Sequence, residues 1–316
     1  MNKKEFFEKI NEKIKPGRRD IVEKDFHLHR LLYEISNDEY LNDNLVFKGG
    51  SCLVKAYTGY YRFSEDIDLT WKDREEWKEL SSNQTRKRCS EEIDILMNKF
   101  DQIAKKLGLD FKAEKSNRRY VSIGGGGRMP TFFIRYHSKM IDMPSMIKVE
   151  INFVDKTIYP YKERKLNSFV EGFESEEISF LFEECWNKYT KPVRLNCYSP
   201  REIYTDKARA LLTRMVYKMR DSIDLYVLRD RYGYNIKDYK EDIIEKTSFM
   251  LDLYKKYREN LQKDIPDYKE IAGEESKLLI ESFSDNIEND ISSIHKNIEK
   301  VRENLDEIDR MDGFEG

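Results

Sequence analysis

The chain has 316 residues, enough for two domains of ordinary size, and its 20 Tyr and 17 Phe favour a packed core over disorder. Charged residues make up 37% of the sequence, yet the net charge is only −3, which is far from the strong basic footprint of a dedicated nucleic-acid binder and does not by itself decide the function. The sequence has no apolar run of the roughly 18 residues that a membrane span requires, no apolar secretory signal near its start and no metal-site spacing among its four cysteines, so we expect a cytoplasmic protein with reduced thiols.

Two helices open the predicted fold. Residues 3–14 have the spacing of a short amphipathic helix, which Pro16 and Gly17 end. Residues 19–36 form a longer amphipathic pattern, and its first half contains the segment Glu-Lys-Asp-Phe at positions 23–26. Residues 37–44 are polar and predict a turn.

The next predicted elements are two strands joined by a glycine turn and a short helix. The 45–47 segment, Leu-Val-Phe, is typical of a buried strand, and Gly-Gly-Ser at 49–51 predicts a turn. Residues 52–57 fit one or two helical turns, and residues 63–71 form the second strand. The backbone N–H groups of such a turn can bind phosphate oxygens.

The second strand carries two carboxylates on one face. Because side chains alternate along a strand, Asp66 and Asp68 point away from Ile67 and Leu69. Neighbouring carboxylates repel each other and favour a bound cation. Mg²⁺ prefers one or two carboxylates plus substrate phosphates, so the pair predicts a site for two Mg²⁺ ions, or for Mn²⁺, and a nucleoside triphosphate. The alternative is a solvated strand end, where Asp is common.

A long charged helix and three strands follow. Residues 84–107 predict the helix, which Gly108 ends. The strands are predicted over residues 111–115 with 120–123, residues 131–136 and residues 146–153. Four glycines at 124–127 indicate a hairpin loop rather than a phosphate cradle, because a strand follows them and not a helix N-terminus.

A third carboxylate lies in the last of these strands. Glu150 stands between two β-branched residues and shares a face with Lys148. On a strand next to the Asp-Ile-Asp strand, Glu150 would face the same cations as Asp66 and Asp68 and complete a set of oxygen ligands. The alternative is an exposed position on an edge strand.

From about residue 196 the pattern is helical. Ser199, Pro200 and Glu202 predict a helix start in which Ser199 is the N-cap and Glu202 completes a capping box. A second helix begins at Asp221.

The tail is predicted as one long helix over residues 275–311. Its apolar residues follow the 4-3 spacing of a coiled coil: Ile287, Ile291, Ile294, Ile298, Val301, Leu305 and Ile308. We expect this stripe to pack within its own domain. Residues 271–316 hold 13 acidic and 5 basic residues, so a partner with a basic face, or a second copy of the chain, is the alternative, and the oligomeric state stays open.

Two levels of resemblance emerge from these motifs. The Phe-Lys-Gly-Gly-Ser segment, Asp-Ile-Asp and Val-Glu-Ile together resemble the nucleotidyltransferase superfamily of the DNA polymerase β type. Four segments also resemble, in order and spacing, the AbiEii/AbiGii toxin family, the nucleotidyltransferase toxins of type IV toxin–antitoxin and abortive-infection systems. They are residues 23–26, residues 47–51 with 62–69, residues 202–212 and residues 220–226. Ser51 stands where that family often has Thr, and residues after about 235 show no resemblance.

The resemblance, with the pattern above, implies the site residues. Asp66, Asp68 and Glu150 would bind the metal ions and act in catalysis. The nucleotide-binding residues would be Lys48, Gly49, Gly50, Ser51, Arg62 and Lys148. The resemblance adds Lys207, Asp221 and Asp224 to the catalytic residues, with Lys207 on the triphosphate or the attacking hydroxyl and Asp224, alone or with Asp221, orienting Lys207 or the nucleotide. The plain alternatives are a solvated Lys207, a helix cap at Asp221 and an ion pair between Arg62 and Glu65.

The element pattern and the resemblance together predict an α+β fold. A nucleotidyltransferase-type domain with a small mixed sheet flanked by helices would occupy residues 1–195, and an all-α domain residues 196–316. The resemblance implies a Mg²⁺-dependent toxin that transfers a nucleoside monophosphate from an NTP to an acceptor and blocks translation. The leading acceptor is the 3′ end of tRNA, or another RNA, and a cognate antitoxin would be the protein partner. Basic side chains outnumber acidic ones from residue 191 to residue 220, which is consistent with an RNA contact.

Two other function classes stay open at this point. A nucleotidyltransferase that modifies a small molecule, such as an antibiotic, or a protein would use the same metal site. A non-catalytic interaction protein would instead depend on the acidic tail helix.

Overall fold

The computed structural model describes residues 3–72, 77, 80–172, 175–254, 256–266, 279–280, 283 and 286–312, with side chains up to residue 305. The chain forms two compact units. The first comprises Met1–Asp155, Tyr161–Tyr198 and Leu278–Ile280, and the second comprises Lys156–Pro160, Ser199–Lys277 and Glu281–Gly316. The fold is α+β, as predicted. None of the described helices combines the length and apolar character needed to cross a membrane.

The described strands of the first unit form one mixed, seven-stranded sheet. The strands are β1 (Leu45–Lys48), β2 (Asp66–Trp71), β3 (Val121–Gly124), β4 (Met129–His137), β5 (Pro144–Asn152), β6 (Lys162–Leu166) and β7 (Val193–Cys197). Their order is β3-β4-β5-β2-β1-β7-β6; β2 is parallel to β5 and β1 is parallel to β7, while the other neighbours are antiparallel. Because β5 lies between β4 and β2, the alternative of an edge-strand position for Glu150 is wrong.

Helices surround the sheet in the first unit and build the second. The first unit contains α1 (Lys3–Ile14), α2 (Ile21–Asn37), α3 (Glu39–Asn44), α4 (Gly49–Leu53), α5 (Ser82–Leu107), α6 (Glu176–Leu181) and α7 (Glu183–Tyr189). The second contains α8 (Pro200–Thr213), α9 (Met219–Tyr232), α10 (Lys240–Leu253), α11 (Lys256–Leu261) and α12 (Ile287–Asp312). A π-helical turn, Val54–Thr58, continues directly from α4.

The two faces of the sheet differ in polarity because its central strands alternate. Ile67 and Leu69 of β2 and Val149 of β5 are at most 1% exposed and form the apolar face. On this face Phe132 of β4 packs against Phe100 of α5, with ring centroids 5.3 Å apart. The opposite face is left with the charged residues of β1, β2 and β5.

Of three local predictions, two differ from the structure and one is confirmed. Residues 37–44 are not a plain turn, because Asp38 accepts a hydrogen bond from the Leu41 N–H at 3.0 Å and starts α3. Residues 111–115 are not a strand, and only the bridge between Asp110 and Arg135 joins the preceding residue to the sheet. The glycines at 124–127 do form the loop of the β3–β4 hairpin, and three of them have positive φ.

The tail helix is shorter than predicted and packs internally. It begins at Ile287 rather than at residue 275, since Leu279 pairs with Arg62 in a β-bridge. The stripe from Ile287 to Leu305 is buried within the second unit, and Ile308 lies outside the described side chains. His295 on α12 also lies 2.8 Å from the Ser222 hydroxyl of α9. Packing within its own domain is therefore confirmed over the coiled-coil alternative for these residues.

Candidate active site

The register between β2 and β5 places the predicted carboxylates on one face of the sheet. Asp68 is the Cα partner of Glu150, and Asp66 is the partner of Lys148. Partners on neighbouring strands point to the same face, so Asp66, Asp68, Lys148 and Glu150 share the polar face of the sheet. The two aspartates are half-buried and Glu150 is exposed. We call the surface formed by Asp66, Asp68 and Glu150 the carboxylate face.

The two glycines lie directly against this face. Gly49 has a φ of +74°, and a Cβ built on it would stand 2.2 Å from the Asp68 Oδ2 atom. A Cβ on Gly50 would stand 2.4 Å from a guanidinium nitrogen of Arg62. Both positions therefore require glycine for close packing, and Gly49 also for its backbone conformation. The predicted turn is in fact the first turn of α4, whose N-cap residue is Lys48.

Gly49→Ala is expected to lower nucleotidyl transfer about a hundredfold, because the new methyl group displaces the Asp68 carboxylate. Gly59→Ala is the matched control. Gly59 also has positive φ, +70°, but a methyl group added there would have no atom within 4 Å of it, so only a backbone cost of about 1–2 kcal/mol in stability is expected. Initial rates and urea unfolding of both variants test this, and equal activity in the two variants would contradict it.

The Ser51 hydroxyl supports the aspartate strand from inside. Ser51 is fully buried, and its hydroxyl donates to the main-chain carbonyl of Asp66 and lies 2.8 Å from the Ser64 Oγ. The side chain therefore holds β2 against α4. Because the hydroxyl is occupied in this way, Ser51 would contact a nucleotide through its main chain.

The side chains of two predicted basic residues near the carboxylate face, Lys48 and Arg62, bind groups within the protein. The Lys48 amine pairs with Asp155, which is 2% exposed and also accepts a hydrogen bond from the Tyr198 hydroxyl at 3.1 Å. Arg62 is 1% exposed and donates to the main-chain carbonyl of Phe63 at 2.8 Å. Sequence reasoning missed Asp155, because its pairing with Lys48 spans 107 residues.

The donor chemistry of the carboxylate face fits Mg²⁺. Its donors are carboxylate oxygens on a partly solvated surface, which is what Mg²⁺ prefers. Within the described residues, no three His, Cys, Asp or Glu side chains are gathered so as to hold a metal ion. A Mg²⁺ ion bound at this face would therefore take one or two of the carboxylates and complete its shell with substrate phosphates and water.

The 23–26 segment on α2 supports three different parts of the first unit. Lys24 pairs with Glu65, the residue before Asp66, at 2.9 Å. Asp25, 2% exposed, pairs with Lys55 of the π-helical turn at 2.9 Å and accepts from the Tyr189 hydroxyl at 2.6 Å. Since these contacts hold both the start of β2 and the helix after the glycines, the segment positions the candidate site.

Glu23 of the same segment fixes a loop instead. Its carboxylate accepts from the Ser138 hydroxyl at 2.5 Å and from the Lys139 N–H at 2.9 Å. Glu65 has a second cationic partner besides Lys24, because the Arg18 guanidinium lies 2.6 Å from its carboxylate. The alternative pairing of Arg62 with Glu65 is therefore wrong.

Glu65→Gln is expected to lower the free energy of unfolding by about 2 kcal/mol at pH 7. Burial raises the pKa of Glu65, but Lys24 and Arg18 outweigh burial and hold it below its ordinary value of 4.5. A carboxyl whose pKa is depressed in the folded state stabilises the protein above its unfolded pKa and loses that effect as the pH falls through the folded pKa. The gap between wild type and variant should therefore narrow below about pH 4.5.

Urea unfolding from pH 7 to pH 3.5 measures this gap. Glu163→Gln serves as the control, since Glu163 pairs with Arg194 on an exposed surface at 3.3 Å and should show little effect at any pH. A gap for Glu65→Gln that stays constant with pH would contradict the assignment of the ion pairs.

The second unit holds the other predicted catalytic residues in one buried group, the Lys207 cluster. The Lys207 amine lies 2.6 Å from Asp221 and 2.7 Å from Asp224, and both aspartates are fully buried. Arg214 also contacts Asp221. The alternatives of a solvated Lys207 and of a capping Asp221 are both wrong, because Lys207 is 7% exposed and α9 begins at Met219. The two aspartates orient the amine.

A second cluster, which shares helix α8 with the first, also joins one lysine to two carboxylates. Lys246, 1% exposed, pairs with Glu202 and lies 2.6 Å from Asp206; we call this the Lys246 cluster. Glu202 also accepts from the Tyr159 N–H at 2.7 Å, and burial raises its pKa. Ser199 is the N-cap as predicted, but Glu202 does not complete the capping box because its carboxylate is bound here.

Several basic residues between 191 and 220 already have acidic partners. Arg194 pairs with Glu163, Arg209 lies 3.9 Å from Asp206, and Lys207 and Arg214 belong to the Lys207 cluster. The excess of basic residues in this segment is thus a weaker indication of an RNA contact than the sequence suggests.

Comparison with known proteins gives one extensive match. A family model described as the nucleotidyl transferase AbiEii toxin of the type IV TA system matches residues 30–306. No curated protein sequence matches the chain significantly. The crystal structure of JHP933 from Helicobacter pylori is similar with a TM-score of 0.43 and 16% identity, covering 93% of this chain and 98% of that one.

An antigenic nucleotidyltransferase-like protein from Paracoccidioides brasiliensis is more distant, with a TM-score of 0.31 and 12% identity, covering 74% of this chain and 92% of that one. Both structural likenesses are remote, so the assignment rests on the family model.

Proposed function

The chain belongs to the AbiEii nucleotidyl transferase toxin family of type IV toxin–antitoxin systems, and from this premise we propose that it transfers a nucleoside monophosphate from an NTP to the 3′ end of tRNA. The observation that carries the proposal is the register of Asp68 with Glu150 on parallel central strands, with Gly49 packed against Asp68. The family assignment does not include the acceptor. We take tRNA as the acceptor because the resemblance implies nucleotide addition to RNA.

Asp66, Asp68 and Glu150 would hold Mg²⁺, for which Mn²⁺ can substitute. Such ions would supply positive charge for the triphosphate and for the attacking and leaving oxygens. Removal of divalent cations with EDTA should abolish transfer, and added Mg²⁺ should restore it.

The protein's own groups would position the nucleotide. The first N–H groups of a helix have no partner within that helix, so the main chain of Gly49, Gly50 and Ser51 is suited to triphosphate oxygens. Lys148, in register with Asp66, adds positive charge on the same face. Lys48 and Arg62 would act indirectly, because their side chains hold Asp155 and the main chain of Phe63.

The transfer itself is a phosphoryl displacement. The acceptor hydroxyl forms a bond to the α-phosphorus, the bond from that phosphorus to the β-phosphate bridge oxygen breaks, and pyrophosphate leaves with the electron pair. Glu150, the most exposed carboxylate of the three, would accept the hydroxyl proton. Extension of a tRNA 3′ end would block its charging and hence translation, and a cognate antitoxin would restrain the enzyme.

Labelling distinguishes the acceptors. The protein is incubated with Mg²⁺, total tRNA and each of the four α-labelled NTPs, and RNA, protein and small-molecule fractions are separated. We expect label at the RNA 3′ end for at least one NTP. Periodate treatment of the tRNA before the reaction should prevent this labelling, because it oxidises the 3′-terminal hydroxyls. Label in a protein band or in an added aminoglycoside, with none in RNA, would replace tRNA by that acceptor.

A toxicity assay addresses the non-catalytic alternative. Its structural basis is already weak, because the apolar stripe of α12 is buried in its own unit. Growth arrest on expression of the protein should disappear in the Asp66→Ala, Asp68→Ala double variant. Growth arrest that persists in a soluble double variant would show that toxicity does not need the carboxylate face.

A further inference from the structure

The first unit contains a cavity of about 530 Å³ that is separate from the carboxylate face in its lining residues. Small-molecule sites typically measure about 300–1,000 Å³, so the volume suits an organic ligand rather than a single ion. The walls come from α2, the end of α5 and strand β4, and they include apolar side chains such as Leu107 and Leu109. None of the residues assigned above to nucleotide, metal or acceptor binding lines it.

The His27 Nδ1 atom, in a side chain that is 9% exposed, has no hydrogen-bond partner among the described residues. The Tyr136 hydroxyl, in a side chain that is 8% exposed, makes no hydrogen bond of ordinary geometry there and has the Ser145 side chain as a polar neighbour. The centroids of the two rings lie 4.5 Å apart, so the two groups belong to the same part of the wall. Buried polar groups without partners are rare in proteins and often mark a place that a ligand or water completes.

The charge of the lining favours an anion. Four cationic side chains line the cavity: Lys3, Arg119, Arg135 and Lys139. Its two carboxylates already have partners, because Glu23 binds Ser138 and the Lys139 main chain, and Asp110 binds the Tyr120 hydroxyl at 2.8 Å and Arg119 at 3.2 Å. Because the cationic side chains of this lining outnumber its carboxylates by two, the local charge is positive.

From these observations we propose that this cavity binds a small phosphorylated organic molecule, with the Tyr136 hydroxyl and the His27 ring as hydrogen-bonding groups for the phosphate. A phosphate offers several acceptor oxygens, and the cationic side chains and the phenol of this lining are donors suited to them. Apolar side chains in the same wall would accommodate the organic part. This site is independent of the nucleotidyl transfer proposed above.

NMR of the histidine rings tests the proposal in the wild-type chain, which has only four His. Ribose 5-phosphate is the probe, with ribose and citrate as comparison ligands. Burial and the charges of Arg30 and Lys3 lower the pKa of His27 to about 3, so its ring is neutral at pH 7. We expect ribose 5-phosphate to shift the His27 resonances saturably, ribose to leave them unchanged and citrate to bind at least tenfold more weakly.

Variants show whether the shift arises at this cavity. Tyr136→Phe should weaken binding about tenfold, and Lys139→Ala, which keeps the main-chain contact to Glu23, should also weaken it. Tyr204→Phe, a buried tyrosine of the second unit, should not. The Asp66→Ala, Asp68→Ala variant should bind as the wild type does, which separates this site from the transfer site.

Three results would overturn the proposal. They are His27 signals unmoved by 10 mM ribose 5-phosphate, binding that Tyr136→Phe and Lys139→Ala leave unchanged, and citrate binding as tight as that of the phosphate. The first needs no variant, so it decides the question even where Tyr136→Phe does not fold.

Discussion

Replacing Asp68 by Asn is expected to slow nucleotidyl transfer about a thousandfold, which corresponds to about 4 kcal/mol of transition-state stabilisation. Asp68 is the residue at which the site's contacts converge: it is in register with Glu150 on one side and with Lys48 on the other, and Gly49 packs against its carboxylate. Loss of the charge should remove a metal ligand while leaving the shape of the side chain nearly unchanged.

The stability of this variant should behave in the opposite way. Because Asp68 and Glu150 are like charges on adjacent strands, removal of one relieves repulsion, and the free energy of unfolding should stay within about 1 kcal/mol of wild type or rise. Asp94→Asn on α5 is the control, since Asp94 pairs with Lys115 on the surface at 3.0 Å and should keep full activity. Asp68→Asn with more than a tenth of wild-type activity would contradict the proposed role.

Glu150→Gln extends the same test to the third carboxylate. A loss of a hundredfold or more is expected if Glu150 shares the metal or accepts the proton, and Glu163→Gln on the exposed strand β6 should be silent. Comparable activity in the two glutamine variants would remove Glu150 from the site.

The sequence was sufficient for the carboxylate face because its signal is local. Alternation fixes the side on which Asp66, Asp68 and Glu150 point, and the apolar residues between them show which side is buried. Alternation does not predict the register between β2 and β5, because that register depends on the pairing of strands about 80 residues apart in the sequence. The structure supplies that register as Asp68 opposite Glu150.

The missed strands show two different limits. Strand β7 (Val193–Cys197) has apolar residues at alternate positions, with the pattern buried-exposed-buried, and this signal was present in the sequence. Strand β6 (Lys162–Leu166) has four exposed residues and one buried one, so it forms only because β7 offers a neighbour. An edge strand rich in Lys is protected from pairing with other chains, which makes it hard to recognise in sequence.

Buried ion pairs were the least predictable contacts in both units. Lys48 with Asp155, Lys207 with Asp221 and Asp224, and Lys246 with Glu202 join residues from different elements. A lysine on an amphipathic helix is usually solvated, so the local pattern predicts exposure, and only the partner's position changes that expectation. Local reasoning likewise gave Glu202 a capping role that the Lys246 cluster overrides.

Lys207→Met is expected to lower nucleotidyl transfer at least a hundredfold beyond any loss of folded protein, if the amine stabilises charge on the reacting phosphates. It should also lower the free energy of unfolding by about 3–5 kcal/mol, since Asp221 and Asp224 would remain as buried carboxylates without their amine. The two effects must therefore be separated, because a destabilised protein loses activity for trivial reasons.

The Lys246 cluster provides the control that separates them. Lys246→Met also removes a buried amine that contacts two carboxylates, Glu202 and Asp206, so a similar loss of stability is expected. Rates are measured at a temperature where both variants are folded by circular dichroism and are normalised to folded protein. Lys246→Met should then retain most of its activity, and Lys207→Met should not.

Equal normalised rates in the two variants would make Lys207 a structural residue, and the catalytic role would be withdrawn. If Lys207→Met does not fold, Asp224→Asn tests the role of Lys207 instead. This change preserves the amine and its 2.6 Å contact with Asp221 but removes one of the two groups that orient it. An intermediate loss of activity, with a smaller loss of stability than Lys207→Met, is expected because the charge remains while its position becomes less defined.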